Sequence, residues 1–195
     1  MTIKRVCVFC GSSPGARPAY AAAAVALARC LVARGITIVY GGGNVGLMGI
    51  LADTARAAGG EVIGVIPRGL VTKEVAHMEL PDLRVVESMH ERKALMADLS
   101  DGFIALPGGY GTIEEFCEIV TWAQLQLHHK PCGVLNVDGF YDKLFEFLDR
   151  AVADQFLKAS NRKLVRCSAD PEELLDMVLS SPVAAEEKWI SRDPR

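Results

Sequence analysis

Gly102-Phe103-Ile104-Ala105-Leu106-Pro107-Gly108-Gly109-Tyr110-Gly111-Thr112-Ile113-Glu114-Glu115 is the stretch whose reading decides the fold. Gly102 to Leu106 is a short apolar run without polar alternation, the pattern of a strand buried on both faces. A glycine-rich turn follows, and the spacing then predicts a helix from Thr112 to about His128. The same succession recurs on either side. Upstream, the run from Ile3 to Cys10 leads through Gly11-Ser12-Ser13-Pro14-Gly15 to an Ala-rich helix over Pro18 to Ala33, closed by Gly35. Ile36 to Tyr40 leads through Gly41-Gly42-Gly43 to a helix from about Val45 to Ala58. Glu61 to Ile66 is a strand ended by Pro67. Leu83 to Glu87 reads as a short strand before a helix over Ser88 to Leu99, where Ser88-x-x-Glu91 has the spacing of a capping box. Downstream, Cys132 to Asn136 and Leu164 to Cys167 are strands, followed by helices over Tyr141 to Ala153 and Pro171 to Leu179. Leu70 to Leu83 fits neither pattern.

Strand–helix alternation with continuous apolar strands predicts a mostly parallel sheet with helices on both faces. The expected fold is therefore a doubly wound, Rossmann-like α/β fold, with one nucleotide-holding domain over residues 1–180. The polar residues 181–195 are expected to form a flexible tail.

Composition bounds the function. The 195 residues, half of them hydrophobic and 23% charged, suit one globular domain. A chain of this size buries roughly 70% of its unfolded surface. The formal charge of −3 carries no basic excess for nucleic acid or an anionic membrane. Any bound anion must be held by a local site. No apolar run reaches the length of a membrane span, and the first residues lack the apolar core of a signal peptide, so a cytoplasmic setting is expected. Cys7 and Cys10 share C-x-x-C spacing, but on a strand they point to opposite faces, which argues against a redox dithiol or a zinc site.

Three glycine-rich turns follow strand ends: Gly11-Ser12-Ser13, Gly41 to Gly46, and Pro107 to Thr112. In a parallel sheet all three lie at the carboxyl edge, where open α/β sheets bind ligands. Glycine lets backbone N–H groups approach a phosphate, and the helix that follows adds positive potential. Gly41-x-Gly43-x-x-Gly46 also matches a dinucleotide fingerprint, but the next acid, Glu61, stands at the start of its strand instead of the end. Arg68 could meet a 2′-phosphate, so a nicotinamide-dependent oxidoreductase is a rival reading. No Lys-Ser/Thr follows the glycines, which excludes a P-loop.

Thr112 and Glu115 have capping-box spacing, which needs no function to explain it, and Glu114 suits a helix start. On a helical wheel Ile113, Phe116, Cys117, Val120, Ala123 and Leu127 form the expected core face, while Glu115, Ile119, Trp122 and Gln126 fall elsewhere. Wide burial of this helix suggests contact with a second subunit. A carboxylate beside a phosphate-holding turn is costly unless it is paired or has work to do. Arg92 and Lys93 stand near the start of another helix and oppose its dipole, so they are either solvated or face an anionic ligand. His90, His128 and His129 are read as structural, and no metal site is recognised.

Taken together, Cys10-Gly11-Ser12-Ser13, Tyr40-Gly41-Gly42-Gly43, Gly46-Leu47-Met48-Gly49, Met89-His90-Glu91-Arg92-Lys93 and Pro107-Gly108-Gly109-Tyr110-Gly111-Thr112-Ile113-Glu114-Glu115 resemble the Lonely Guy (LOG) family of cytokinin riboside 5′-monophosphate phosphoribohydrolases. The resemblance runs from about residue 3 to residue 180. It implies cleavage of the N-glycosidic bond of an N6-modified adenosine monophosphate, giving free base and ribose 5-phosphate, with no metal or redox cofactor. It implies Arg92 and Glu115 as catalytic residues. Gly108, Gly109, Tyr110, Gly111 and Thr112 would hold the phosphate, with Lys93, Glu114, Thr121 and Glu74 close to the ligand. Gly11, Ser12, Gly42 and Gly43 are added from the glycine-turn argument. The implied partners are a nucleoside monophosphate and a second copy in a homodimer. Relatives labelled "lysine decarboxylase" share the pattern, but no pyridoxal-phosphate lysine context is recognisable here. A non-catalytic nucleotide carrier on the same scaffold is the alternative.

Overall fold

The computed structural model describes residues 3–71 and 76–180. Seven strands form one sheet: β1 (Arg5–Phe9), β2 (Thr37–Tyr40), β3 (Val62–Pro67), β4 (Asp82–Val86), β5 (Gly102–Ala105), β6 (Cys132–Leu135) and β7 (Val165–Ser168). Their spatial order is β4-β3-β2-β1-β5-β6-β7. Every pairing is parallel, including β1 with β2 and β1 with β5. The chain winds outward in one direction from β1 to β4 and then returns to the centre to wind the other way. The reversal falls between β1 and β5, and such a switch point leaves a crevice beyond the carboxyl ends of the two strands.

The principal helices are α1 (Pro18–Ala33), α2 (Gly46–Ala57), α4 (Met89–Leu99), α5 (Tyr110–Gln124), α6 (Asp142–Ala153) and α8 (Pro171–Leu179), with short turns α3 (Arg68–Val71) and α7 (Ala159–Arg162). One core packs Val6, Val8 and Ile38 against Leu27 and Leu31 of α1, Leu47 and Leu51 of α2, and Leu174 and Val178 of α8. The other packs Cys7, Val39 and Phe103 against Met96 of α4 and Phe116 and Ile119 of α5. Helices on both faces explain why the strands read as unbroken apolar runs. Cys7 and Cys10 fall in different cores, as alternation along β1 requires.

The stretch from Leu70 to Leu83 divides into the end of α3, residues 72–75, which lie outside the described residues together with the Glu74 of the sequence reading, and a segment from Ala76 that leads into β4. The expected tail, 181–195, also lies outside the described residues. No helix of the described residues is long and apolar enough to cross a membrane.

Two sequence expectations about α5 are corrected. The helix begins at Tyr110, with Gly109 as its N-cap and no side-chain cap, so Thr112 is its third residue and cannot form a capping box with Glu115. Its core face is Thr112, Phe116, Ile119 and Ala123, while Cys117 and Leu127 are exposed. The buried stripe is thus turned toward Glu115. By contrast Ser88 does cap α4, its hydroxyl accepting from the Glu91 N–H at 3.1 Å. The Glu91 carboxylate accepts in return from the Glu87 N–H at 2.9 Å, one residue before the usual capping-box partner.

Candidate active site

The three glycine turns meet. The Gly11 N–H donates to the Pro107 carbonyl at 3.0 Å, joining the β1 and β5 turns, and the Leu47 N–H donates to the Gly11 carbonyl at 3.0 Å, tying in the start of α2. Close approach dictates the residue type at Gly108 and at Gly46. A Cβ on Gly108 would overlap Thr112 Oγ1, and one on Gly46 would overlap the backbone of Ser12 and Ser13. Gly46 also has φ +60°, a conformation L side chains rarely adopt.

Between these turns lies an open cavity of about 240 Å3. Its walls are the end of β1 with Gly11 and Ser12, Gly41, Met48 of α2, Arg92 of α4, and Gly109, Tyr110, Gly111, Thr112 and Glu115 of α5. The first turn of α5 holds no acidic residue. The amides of Tyr110, Gly111 and Thr112 precede the first backbone bond of this turn, Ile113 N–H to Gly109 carbonyl at 3.1 Å, so among the described residues these donors have no backbone partner and the helix presents them, with its positive end, to the cavity.

Arg92 and Glu115 face one another across the cavity floor. Arg92 Nη1 donates to Glu115 Oε1 at 2.6 Å, with only 10% and 11% of the two side chains exposed. Nε donates to the Val65 carbonyl at 3.0 Å and Nη2 to the Gly41 carbonyl at 3.4 Å. The guanidinium is thus hung from β3 and from the residue that follows β2, with its remaining edge turned to the carboxylate. Burial raises the pKa of Glu115 above the ordinary carboxylate value, and Arg92 opposes the rise. Burial also pushes the thiol of Cys10 far up, so this cavity wall offers no thiolate.

Beside the pair, Lys93 Nζ bonds Glu114 at 2.5 Å and Glu118 at 3.1 Å, linking α4 to α5. Its pKa is raised, first by the bond to Glu114. The two cations of α4 are therefore paired with carboxylates of α5 instead of being solvated.

The structure brings Gly11, Ser12, Arg92, Gly109, Tyr110, Gly111, Thr112 and Glu115 together at the cavity, with Gly108 packed directly behind it against Gly11 and Thr112. Lys93 and Glu114 sit one step removed. Gly42 and Gly43 do not line the cavity: Gly42 packs against β3 and Gly43 bridges Ala76. Gly41 lines it instead, because it continues β2 directly toward the crevice. Thr121 is exposed, bonds the Cys117 carbonyl at 2.7 Å, and stands nine residues along α5 from Thr112, about 14 Å of helix. Arg68, considered for a 2′-phosphate, is held bidentately by Glu87. Met48 lines the cavity without a part in the sequence-based site, and its position in Gly46-Leu47-Met48-Gly49, two residues into a helix aimed at the carboxyl edge, is the signal for it.

A parallel sheet with a cavity at its switch point, walled by a helix N-terminus and a buried Arg–Glu pair, defines a Rossmann-like α/β protein with a carboxylate set beside free helix amides. A family model described as "Possible lysine decarboxylase" matches residues 48–178. The chain is 56% identical over 172 residues to the probable cytokinin riboside 5′-monophosphate phosphoribohydrolase LOGL9 of Oryza sativa subsp. japonica, covering 88% of this chain and 76% of that one. It is 49% identical over 191 residues to the cytokinin riboside 5′-monophosphate phosphoribohydrolase LOG5 of Arabidopsis thaliana, covering 95% and 84%. The chain belongs to this family, the LOG proteins. Among solved structures, the molybdenum cofactor binding protein of Rippkaea orientalis superposes with a TM-score of 0.69 at 22% identity, over 91% of this chain and 96% of that one. At that identity the likeness is one of fold.

Proposed function

We propose that this protein is a phosphoribohydrolase of the LOG type, cleaving the N-glycosidic bond of an adenosine 5′-monophosphate, N6-modified or plain, to free base and ribose 5-phosphate. The carrying observation is the buried Arg92–Glu115 pair beside the unpaired amides of α5, in a chain about half identical to curated phosphoribohydrolases. Residues 1–180 form the nucleotide-holding unit in this reading, since all seven strands belong to one sheet.

The phosphate is held by the amides of Tyr110, Gly111 and Thr112 and by the Gly11-Ser12 turn, where helix potential and backbone donors favour an anion. In this reading the ribose lies over Glu115. Breaking the bond builds positive charge on the anomeric carbon, and a carboxylate alongside stabilises it. Water supplies hydroxide to that carbon. Glu115, with its affinity for protons raised by burial, is suited to take the other proton of that water and to pass it on to the departing base, which returns the carboxylate to its ionised form. Arg92 holds the carboxylate in position and offers positive charge to the phosphate or to the leaving purine. Lys93 is a poor imine-forming lysine, because its two carboxylate partners keep the amine protonated.

A homodimer is part of this proposal. Leu125 and Leu127 after α5, Phe147 of α6 and Phe156 are exposed large apolar side chains, which a second subunit would cover. A cytoplasmic setting fits six cysteines that are all free thiols. The test is a chromatographic assay of AMP, N6-isopentenyl-AMP and the corresponding nucleosides. Base released from the monophosphates and not from the nucleosides is expected. Tight nucleotide binding without released base would select a carrier instead.

A further inference from the structure

Behind the cavity, His77 joins three elements that the proposed chemistry does not use. Its ring is almost wholly buried. Nδ1 lies 3.1 Å from the hydroxyl of Tyr40, the last residue of β2. Nε2 lies 3.2 Å from Asp53 Oδ1 on α2, with Arg56 beside it at 3.5 Å. With Nε2–H donating to Asp53, Nδ1 accepts from the Tyr40 hydroxyl. Tyr40 is itself fully buried, so its hydroxyl depends on this partner. The backbone of the same residue makes a further contact: the His77 N–H donates to the Gly42 carbonyl at 2.8 Å, next to the bridge between Gly43 and Ala76.

His77 therefore grips the chain at Tyr40 through its side chain and at Gly42 through its backbone. Between the two grips lies Gly41, whose carbonyl accepts from Arg92 Nη2. A glycine turn has no side chain to hold it in place, and its backbone freedom must be removed by its neighbours. The guanidinium is planar, so a shift of the Gly41 carbonyl turns the whole fork and with it the edge that meets Glu115.

We propose that His77 is a positioning residue for the reaction, clamping Tyr40 and Gly42 so that the Gly41 carbonyl between them orients Arg92 toward Glu115. The inference rests on the phosphoribohydrolase reading above. Misplacement by an ångström of a group that aligns reactants can cost about a hundredfold in rate. Replacing the ring nitrogens while keeping the backbone bond is expected to cost about tenfold.

The experiment is a kinetic comparison of wild type, His77→Phe and Tyr40→Phe on AMP, each checked by circular dichroism and thermal melting. His77→Phe is expected to lower kcat about tenfold with KM changed less than threefold, and Tyr40→Phe to act in the same direction. The decisive readout is the acid limb of kcat/KM. Glu115 is faced by Arg92, Lys93 and Glu114, and Arg92 lowers its proton affinity. An Arg92 released from its clamp lowers it less, so the limb moves to higher pH in both variants. A rate loss in Tyr40→Phe and His77→Phe with the limb unmoved makes the role merely structural and overturns the proposal, as do unchanged rates. Should His77→Phe fail to fold, Tyr40→Phe carries the test alone. A wild-type protein that releases no base overturns the phosphoribohydrolase reading itself.

Discussion

Arg92 Nη1 is bonded to Glu115 Oε1 at 2.6 Å across the gap between α4 and α5, so the two groups proposed for catalysis hold each other directly. An ion pair this dry draws its stability from completeness. Breaking it by removing one partner leaves a buried charge unmatched, whereas removing both leaves none. The same bond aims the carboxylate, since a guanidinium that hangs from Val65 and Gly41 leaves one edge for Glu115.

Loss of either member should abolish turnover, and stability should distinguish the variants. Arg92→Ala and Glu115→Ala are each expected to lower turnover by at least ~10²–10³-fold, measured as released base. Arg92→Ala strands the buried carboxylate and is expected to cost about 3–5 kcal/mol in denaturant unfolding. The double variant Arg92→Ala/Glu115→Gln is expected to be more stable than Arg92→Ala alone. Equal or additive losses would show that the pair is not coupled.

The raised pKa of Glu115 sets the pH behaviour of both activity and stability. With ionised Glu115 as the proposed base, kcat/KM should climb with pH through a limb displaced upward from the ordinary carboxylate value. For stability the sign is opposite. Between the unfolded and the folded pKa the native state binds more protons, so the contribution of this group to stability declines as pH rises through that window. Glu115→Gln should remove that part of the slope in a plot of melting temperature against pH.

Lys93 lowers the proton affinity of Glu115 and ties Glu114 and Glu118 to α4. Lys93→Met leaves three carboxylates of α5 facing α4 with Arg92 as the one remaining partner from this Arg–Lys pair. The expected result is an acid limb displaced upward and a kcat lowered by about tenfold or less. Rates and pH profile like those of the wild type would remove Lys93 from the site.

Two adjacent glycines should behave differently. A Cβ at Gly108 overlaps Thr112 Oγ1 and lies 3.0 Å from the Gly11 amide, while one at Gly109 meets nothing within 4 Å. Gly108→Ala is expected to cost about 1–3 kcal/mol and to raise KM for AMP, since the turn that presents the α5 amides must shift. Gly109→Ala is expected to stay within about 0.5 kcal/mol of wild type by thermal melting. A reversed order would mean that the β1 and β5 turns are not packed as described.

Much of this was legible along the chain, because it rests on local periodicity. Unbroken apolar runs such as Gly102 to Leu106, each followed by glycine and then a helical pattern, require strands covered on both faces. Glycine turns at strand ends locate the ligand edge. The start of α5 lies two residues before the one the sequence predicts, since a glycine N-cap carries no side-chain signature and the Thr112–Glu115 spacing mimics one. That error matters chemically: the first turn contains no acid and is open to an anion, and Glu115 sits farther along, on the side facing the core.

By itself the sequence determined the parallel α/β architecture, the three glycine turns and the presence of Arg92 and Glu115 on the helices before and after β5, because each depends on residues close in the chain. Only the tertiary structure decided that Arg92 meets Glu115, that Gly41 and not Gly42 or Gly43 lines the cavity, that Thr121 stands outside the cavity lining of this chain, and that His77 bonds on both sides of Gly41. Those relationships join segments dozens of residues apart. They are set by strand order and by the rotation of each helix against the sheet, which no local pattern encodes.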